Sequence, residues 1–351
     1  MVLFQDITIE ELLKKRARGE ITTIDVRSPS EYRNATIPGS MNIPLFNDEE
    51  RAEVGTLYKQ VGTEQAKTRG LEIASAKLPD FIAKFQQIEG PKAVFCWRGG
   101  MRSKTTATVL SLMGVQTYRL AGGVRAYRQW IVEELGQLQL NTPAFVLNGH
   151  TGNGKTLMLE KLQREGYPVI DLEGMAGHRG SVFGGIGLQV NNQKAFDSLL
   201  IERLNEIGQA PYILFEAESR RIGKVEVPAF LLDKKEQGVH LWVELPMAER
   251  VRHIMEDYRP AEHKEECLSA FERIKAHIHQ PIGVQIEEAL HTDQYEQAIA
   301  LLLEYYYDPK YQYSADKMKD TQRVIIQAGN VNEAVGKIKE YLASVPNTIQ
   351  S

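Results

Sequence analysis

The stretch Gly149-His150-Thr151-Gly152-Asn153-Gly154-Lys155-Thr156 sets the strongest constraint on what this chain can fold into. It fits Gly-x4-Gly-Lys-[Ser/Thr] in full, follows the apolar run Phe145-Val146-Leu147-Asn148 and precedes a helical pattern from Thr156 to Glu165. Strand, glycine-rich turn and helix in that order point backbone N–H groups and a helix N-terminus at one spot, and the lysine adds a mobile positive charge. The turn therefore reads as a cradle for a diphosphate or triphosphate, with no preference for a nucleotide. Its candidate binding residues are Gly149, Thr151, Gly152, Asn153, Gly154, Lys155 and Thr156, and Thr156 would hold Mg²⁺ if the reaction uses a metal.

A second loop carries the reactive group. Cys96-Trp97-Arg98-Gly99-Gly100-Met101-Arg102-Ser103 follows the apolar run Ala93-Val94-Phe95 and leads into a helical stretch from Lys104 to Met113. A thiol at a strand-to-helix junction faces backbone N–H groups and the positive end of a helix, and both favour thiolate. Arg98 and Arg102 add charge in the same loop. Cys96, Arg98 and Arg102 are the candidate catalytic residues.

At 351 residues the chain is long enough for two domains. A composition of 42% hydrophobic and 25% charged residues is that of a soluble globular protein, and no apolar run approaches the length of a membrane span. The sequence opens without a basic segment ahead of an apolar one, so no secretory signal is expected. The two cysteines, Cys96 and Cys267, lie in unlike contexts, and a reactive thiol needs a reducing compartment; the cytoplasm is the expected location. Cys267 reads as a small buried residue. A net charge of −4 does not announce nucleic acid, although a local basic face can still bind RNA.

Up to residue 137, strands at 21–26, 91–95 and 116–120 alternate with helical segments, beginning with a Thr8-x-x-Glu11 capping pattern. Residues 136–142 form a short connection, and a second domain is expected over 138–351. There, Asp171 and Glu173 follow the strand Pro168-Val169-Ile170, and a glycine-rich loop carries His178, Arg179 and Ser181. Glu216 ends the strand Tyr212-Ile213-Leu214-Phe215, where many ATPases place an aspartate that holds magnesium; it would either hold the ion through water or serve structurally. Arg220, Arg221 and Lys224 follow. Residues 247–305 are mostly helical. His253, His263, His277 and His279 lack metal-ligand spacing and read as solvated helix faces, so no protein metal site is expected. The run Tyr305 to Tyr313 reads equally as a base-stacking surface or as core packing.

Asp25-Val26-Arg27 with Glu31-Tyr32, then Ile37-Pro38-Gly39-Ser40-Met41-Asn42-Ile43-Pro44, the Cys96 loop and Leu120-Ala121-Gly122-Gly123 resemble a rhodanese domain over residues 1–137. In that family the cysteine carries sulfur or selenium. The loop departs from the common six-residue spacing: Cys96 to Arg102 spans seven, as in the phosphatases that share the fold, which suits a phosphorus-bearing donor. Those phosphatases usually place His before the cysteine, where this chain has Phe95. With the phosphate loop, Asp171-Leu172-Glu173, His178-Arg179-Gly180-Ser181 and Phe215-Glu216-Ala217-Glu218-Ser219-Arg220-Arg221 in order, nearly the whole chain resembles the bacterial tRNA 2-selenouridine synthase family.

That resemblance implies an α/β chain: a rhodanese-like parallel-sheet domain, then a P-loop NTPase-like parallel-sheet domain with a C-terminal helical region. It implies geranylation of wobble 2-thiouridine in the Lys, Glu and Gln tRNAs from geranyl diphosphate. Replacement of the geranylated sulfur by selenium from selenophosphate would follow, with selenophosphate synthetase as a further partner. Asp171, Glu173, His178, Arg179, Ser181, Glu216, Arg220, Arg221 and Lys224 become candidate substrate or tRNA contacts. The competing expectations are an ATP-dependent tRNA sulfurtransferase or kinase, a redox or arsenate sensor with a regulatory phosphate loop, and a Cys-x5-Arg phosphatase.

Overall fold

The computed structural model describes residues 4–310 and 323–345. The chain divides into two compact units, Met1–Gln137 with Asp197–Leu199, and Leu138–Phe196 with Leu200–Ser351. Each is an α/β structure on a parallel five-stranded sheet, counted among the described residues.

In the first unit the strands are β1 (Gln5–Ile7), β2 (Thr22–Asp25), β3 (Met41–Asn42), β4 (Lys92–Phe95) and β5 (Thr117–Leu120), in the spatial order β1-β5-β4-β2-β3. The central β4 is buried along its length, as expected where helices cover both faces of a parallel sheet. The core combines Ile24, Val26 and Val94 with Phe81, Phe85 and Leu110. Thr8 and Glu11 do form a reciprocal capping box on the helix Ile9–Ala17. Two details differ from the sequence pattern. Strand β1 was not legible, because only Ile7 of its three residues is buried. The helix after Cys96 begins at Met101, with Gly100 as its N-cap, so it reaches closer to the thiol than a start at Lys104 implied.

The Asp25-Val26-Arg27 motif has a structural role. Both charged side chains are buried, and Arg27 Nη2 donates to Asp25 Oδ2 at 2.6 Å and to Ala35 O at 2.6 Å. Thr36 Oγ1 adds a hydrogen bond to the same carboxylate at 2.8 Å, so the pair is satisfied from several sides and fixes the turn after β2.

In the second unit β6 (Ala144–Gly149), β7 (Val169–Ile170), β8 (Ile213–Glu216), β11 (Val239–Glu244) and β12 (Arg323–Gln327) pair in the order β12-β11-β6-β8-β7. The short strands β9 (Arg221–Ile222) and β10 (Val225–Glu226) form a separate antiparallel hairpin. The helices Lys155–Arg164 and Val331–Ser344 share the core of this sheet through Leu159, Leu162, Val335 and Ile338. The helices Met247–Tyr258, Lys264–Lys275, Gln280–His291 and Tyr295–Leu302 follow, the last running into a π-helical turn, Leu303–Tyr307. They pack a second cluster around Phe271, Ile286, Leu290 and Leu302.

His253 departs from the expected solvated face: it is 2% exposed. In the tyrosine run, Tyr306 is buried in the helical cluster and Tyr305 is exposed, whereas Tyr311 and Tyr313 lie outside the described residues. Cys267 is buried, as expected. Among the described residues no helix is long and apolar enough to cross a membrane.

Candidate functional sites

Cys96 sits at the end of β4, buried, with its loop folded against the turn that follows β5. Two backbone bonds tie these segments: Val124 N–H donates to Cys96 O at 2.9 Å and Arg125 N–H to Trp97 O at 3.0 Å. The contact needs glycine on both sides. A Cβ on Gly123 (φ +59°) would lie 2.2 Å from Cys96 O, and one on Gly99 (φ +65°) would lie 3.1 Å from Leu120 O. The thiol sulfur is 3.2 Å from Ser103 Oγ and 3.9 Å from Gly100 O, at the first turn of the helix Met101–Leu112. The hydroxyl of Ser103 can donate to a thiolate.

Neither loop arginine is bonded to the sulfur. Arg102 forms a two-pronged pair with Glu31, at 2.5 and 3.1 Å, and Arg98 is exposed. Arg119, which the sequence did not single out, donates to Gly99 O at 3.1 Å and is itself held by Asp6. The loop therefore has an outer guanidinium open to an incoming anion and two inner ones that fix its shape.

In the second unit Gly149, Gly152 and Gly154 all have positive φ, and each is closely surrounded. A Cβ on Gly149 would lie 2.6 Å from Val243 O, and one on Gly152 would lie 2.8 Å from Arg250 O. Asn153 is fully buried and donates to Val243 O at 2.6 Å, so it braces the loop from beneath. Lys155 Nζ donates to Gly149 O at 3.2 Å and so lies across the loop. Thr156 Oγ1 donates to Glu173 Oε2 at 2.8 Å.

Three residues from later helices complete the frame. Arg250 Nε donates to Thr151 O at 2.9 Å, and its other nitrogens hold Asp308 at 2.9 and 2.5 Å. Asp308 is also 3.3 Å from His150 Nδ1. His253 Nδ1 lies 2.9 Å from Gly152 O. No sequence pattern announced these partners, which lie about a hundred positions or more beyond the loop.

Above the loop opens a cleft of about 840 Å³. Gly152, Gly154, Lys155, Thr156, Glu173, Arg179 and Ser181 are on its walls. Arg179 stacks 4.5 Å from the Tyr258 ring centroid and donates to Ile186 O and Asp257 O. His178 is not on the wall but packs beneath the glycine-rich loop, close to Gly184 and Gly223. Asp171 caps the short helix Leu172–Ala176. Arg220, Arg221 and Lys224 are exposed on and beside the β9–β10 hairpin, outside the cleft walls, where Arg221 pairs with Glu226 at 2.7 Å.

Carboxylates crowd behind Lys155. Glu216 is 1% exposed; one oxygen accepts from Glu173 N–H at 2.6 Å, and the other has no hydrogen-bond partner among the described residues. Burial, with the charges of Asp171 and Glu173, holds the Glu216 carboxyl well above the usual range. Burial likewise pushes Asp171 up to about 6, and burial with Glu173 pushes Glu218 up to about 8. Among the described residues no group of three His, Cys, Asp or Glu could hold a metal. Magnesium held by one or two protein oxygens together with substrate phosphates does fit: Thr156 and Glu173 would hold it, and the uncompensated acidity of this corner favours a cation. A bound magnesium would neutralise charge on a phosphate ligand.

These carboxyls bind protons more tightly folded than unfolded, so their stability contribution is present at low pH and is lost as pH rises from about 4.5 towards 8. The melting temperature of the ligand-free protein is therefore expected to fall between pH 5 and pH 8. The Glu216→Gln variant keeps the oxygen that accepts from Glu173. It should melt higher at pH 8, by about 2–4 °C per kcal/mol relieved, and converge with the parent near pH 5. Parallel melting curves across that range would sink this account.

The family described as "tRNA 2-selenouridine synthase AAA domain" matches residues 142–282, and the rhodanese-like domain matches residues 8–129. A tRNA 2-selenouridine synthase of Hydrogenovibrio crunogenus is 34% identical over 360 residues, covering 92% of this chain and 95% of that protein. One of a Sulfurovum species is 31% identical, covering 91% of this chain and 94% of that protein. The match to the synthase of Nitrosomonas europaea is 36% identical over 247 residues, covering 67% of this chain and 63% of that protein, so there the chain spans less than two thirds of its relative.

Proposed function

Because the chain belongs to the tRNA 2-selenouridine synthase family, we propose that it converts wobble 2-thiouridine in tRNA to 2-selenouridine in two steps, with geranylation first and selenation second. The first step belongs to the second unit. The Gly149–Thr156 loop and Lys155 hold the diphosphate of geranyl diphosphate. The thiouridine sulfur attacks the allylic carbon, the carbon–oxygen bond breaks, and Lys155 stabilises the departing diphosphate. The second step belongs to the first unit. The Cys96 thiolate attacks the selenium of selenophosphate, the selenium–phosphorus bond breaks and phosphite leaves. The terminal selenium then attacks C2 of the base, and geranylthiolate departs and takes up a proton. A thiol reductant cleaves the sulfur–selenium bond to free 2-selenouridine and, by a second thiol exchange, Cys96. Arg98, exposed on the loop, receives the anionic donor in this reading, while Arg102 and Arg119, bonded to Glu31 and to Gly99 O, hold the loop in shape.

The observation that carries this reading is the pairing, on one chain, of a strand-end thiol with a phosphate loop whose strand-end carboxylate, Glu216, is buried and bonded to backbone. A loop so arranged suits holding a diphosphate as a leaving group more than hydrolysing a nucleotide. Arg179 and the exposed Arg220, Arg221 and Lys224 are offered to the tRNA backbone, whose phosphates favour basic contacts. The expected tRNAs are those for Lys, Glu and Gln, the selenium source is a selenophosphate synthetase, and the setting is the cytoplasm. The test is mass spectrometry of tRNA nucleosides from cells with and without the protein. Selenouridine and geranylated thiouridine should both require it. Unchanged nucleosides, together with tight ATP binding and turnover by the purified protein, would favour the sulfurtransferase or kinase alternative.

A further inference from the structure

A second cavity, of about 60 Å³, lies within the phosphate-loop unit. Thr151, Ser181, Ile254, Tyr258 and Tyr307 line both this cavity and the cleft, so the two spaces meet beside the loop. The residues that line the cavity but not the cleft include Cys267, Leu290, Ile299 and Leu302. They form its far wall, between the helices Lys264–Lys275, Gln280–His291 and Tyr295–Leu302.

Its polar groups are few. Ser181 Oγ and Tyr258 OH lie 3.3 Å apart, and the Tyr295 hydroxyl donates to Asp293 at 2.7 Å. Protein interiors are otherwise close-packed, and an unfilled apolar space lowers stability in proportion to its volume. The wall also carries the π-helical turn Leu303–Tyr307, which supplies Leu303 and Tyr307; such turns are uncommon and concentrate at functional sites. A phosphate cradle that continues into an apolar chamber is complementary to a molecule with an anionic head and a hydrocarbon tail. It is a poor match to a nucleoside, whose ribose and base would bury hydroxyl and amino groups without partners.

We infer that this cavity receives the end of the hydrocarbon tail of a prenyl diphosphate whose head lies on the Gly149–Thr156 loop and whose nearer carbons lie in the cleft, and that the far wall around Cys267 and Leu290 sets the accepted tail length. The inference rests on the prenyl-transfer reading above and gives it a location. Transfer leaves the cavity's own groups unchanged: the new carbon–sulfur bond forms at the mouth, and diphosphate departs from the loop.

Two measurements test it. In a Cys96→Ala background Cys267 is the remaining thiol, and its rate of alkylation by N-phenylmaleimide is followed. Geranyl diphosphate should slow that rate at least tenfold, while inorganic diphosphate at saturating concentration should leave it unchanged. In the otherwise native protein, Leu290→Trp should lower kcat/KM for geranyl diphosphate at least tenfold relative to dimethylallyl diphosphate, and Cys267→Ala should shift preference towards farnesyl diphosphate. Taking ratios between donors within one variant removes any general loss of folded protein. If the native protein geranylates thiolated tRNA but Cys267 is unprotected and the donor ratios do not move, the cavity assignment is wrong. If the native protein shows no prenyl transfer to thiolated tRNA from any of these donors, the prenyl-transfer reading fails, and the inference with it.

Discussion

A Cys96→Ala enzyme is expected to geranylate thiolated tRNA at near the parent rate and to form no detectable 2-selenouridine when selenophosphate is added. The sulfur is the only group at the end of β4 able to carry a selenium atom, and Ser103 Oγ at 3.2 Å is oriented towards it rather than able to replace it. Removing the nucleophile of a group transfer usually costs several orders of magnitude, because the positioning residues that remain have nothing to position. The geranylated nucleoside should therefore accumulate. Loss of both steps would refute the division of labour between the two units. Retained selenation would mean that selenophosphate attacks the base directly and that the Cys96 loop serves only to bind it.

The Lys155→Ala enzyme is expected to fail earlier. Lys155 spans the phosphate loop, touches Gly149 O and lines the cleft, so its ammonium is placed to meet charge that grows on the leaving diphosphate. Losing one such contact typically costs about 10²–10³ in kcat. Geranylation should fall by about that factor, while tRNA that has been geranylated beforehand should still be selenated. Full retention of geranylation in Lys155→Ala would overturn the assignment of the loop. A Lys155→Arg enzyme should recover little, because the planar guanidinium is a poor substitute where a compact point charge must fit among backbone groups.

What the sequence disclosed and what it withheld follow from chain geometry. Both loops are contiguous, and the chemistry of each is written in adjacent residues: the thiol with its glycines and arginines, and the Gly-Lys-Thr run after a buried strand. Their frames are not contiguous. Arg250, His253 and Asp308 bond to the phosphate loop from far along the chain, and in the sequence each is one more polar residue on a helical face. His253 shows the difficulty: helical spacing places it on a face but does not say whether that face meets solvent or another loop. The same holds for Arg102, whose place in the Cys96 loop suggested the thiol as partner, whereas Glu31 is its partner in the fold. The β9–β10 hairpin was illegible because two-residue strands have no periodicity. The apolar cavity left no trace at all, since residues that line a chamber and residues that fill a core are the same kinds of residue.

The position of β12 has a consequence for how the protein comes into being. The first unit's sheet is complete by residue 120, and its strands can pair while the rest of the chain is still being translated. The phosphate loop is translated shortly afterwards, but the strand beyond its neighbour β11 does not exist until residues 323–327 have been made, and Asp308, which ties Arg250 and His150 together, arrives only slightly sooner. At ~5–20 residues per second that interval is on the order of ten seconds or more. Once β11 has been made, in the second half of that interval, it has one exposed edge, of the kind that invites pairing with other chains. A nascent chain on the ribosome would thus carry a finished Cys96 loop ahead of an unfinished Gly149–Thr156 loop, and a messenger truncated near residue 282 would yield a protein fixed in that half-built condition.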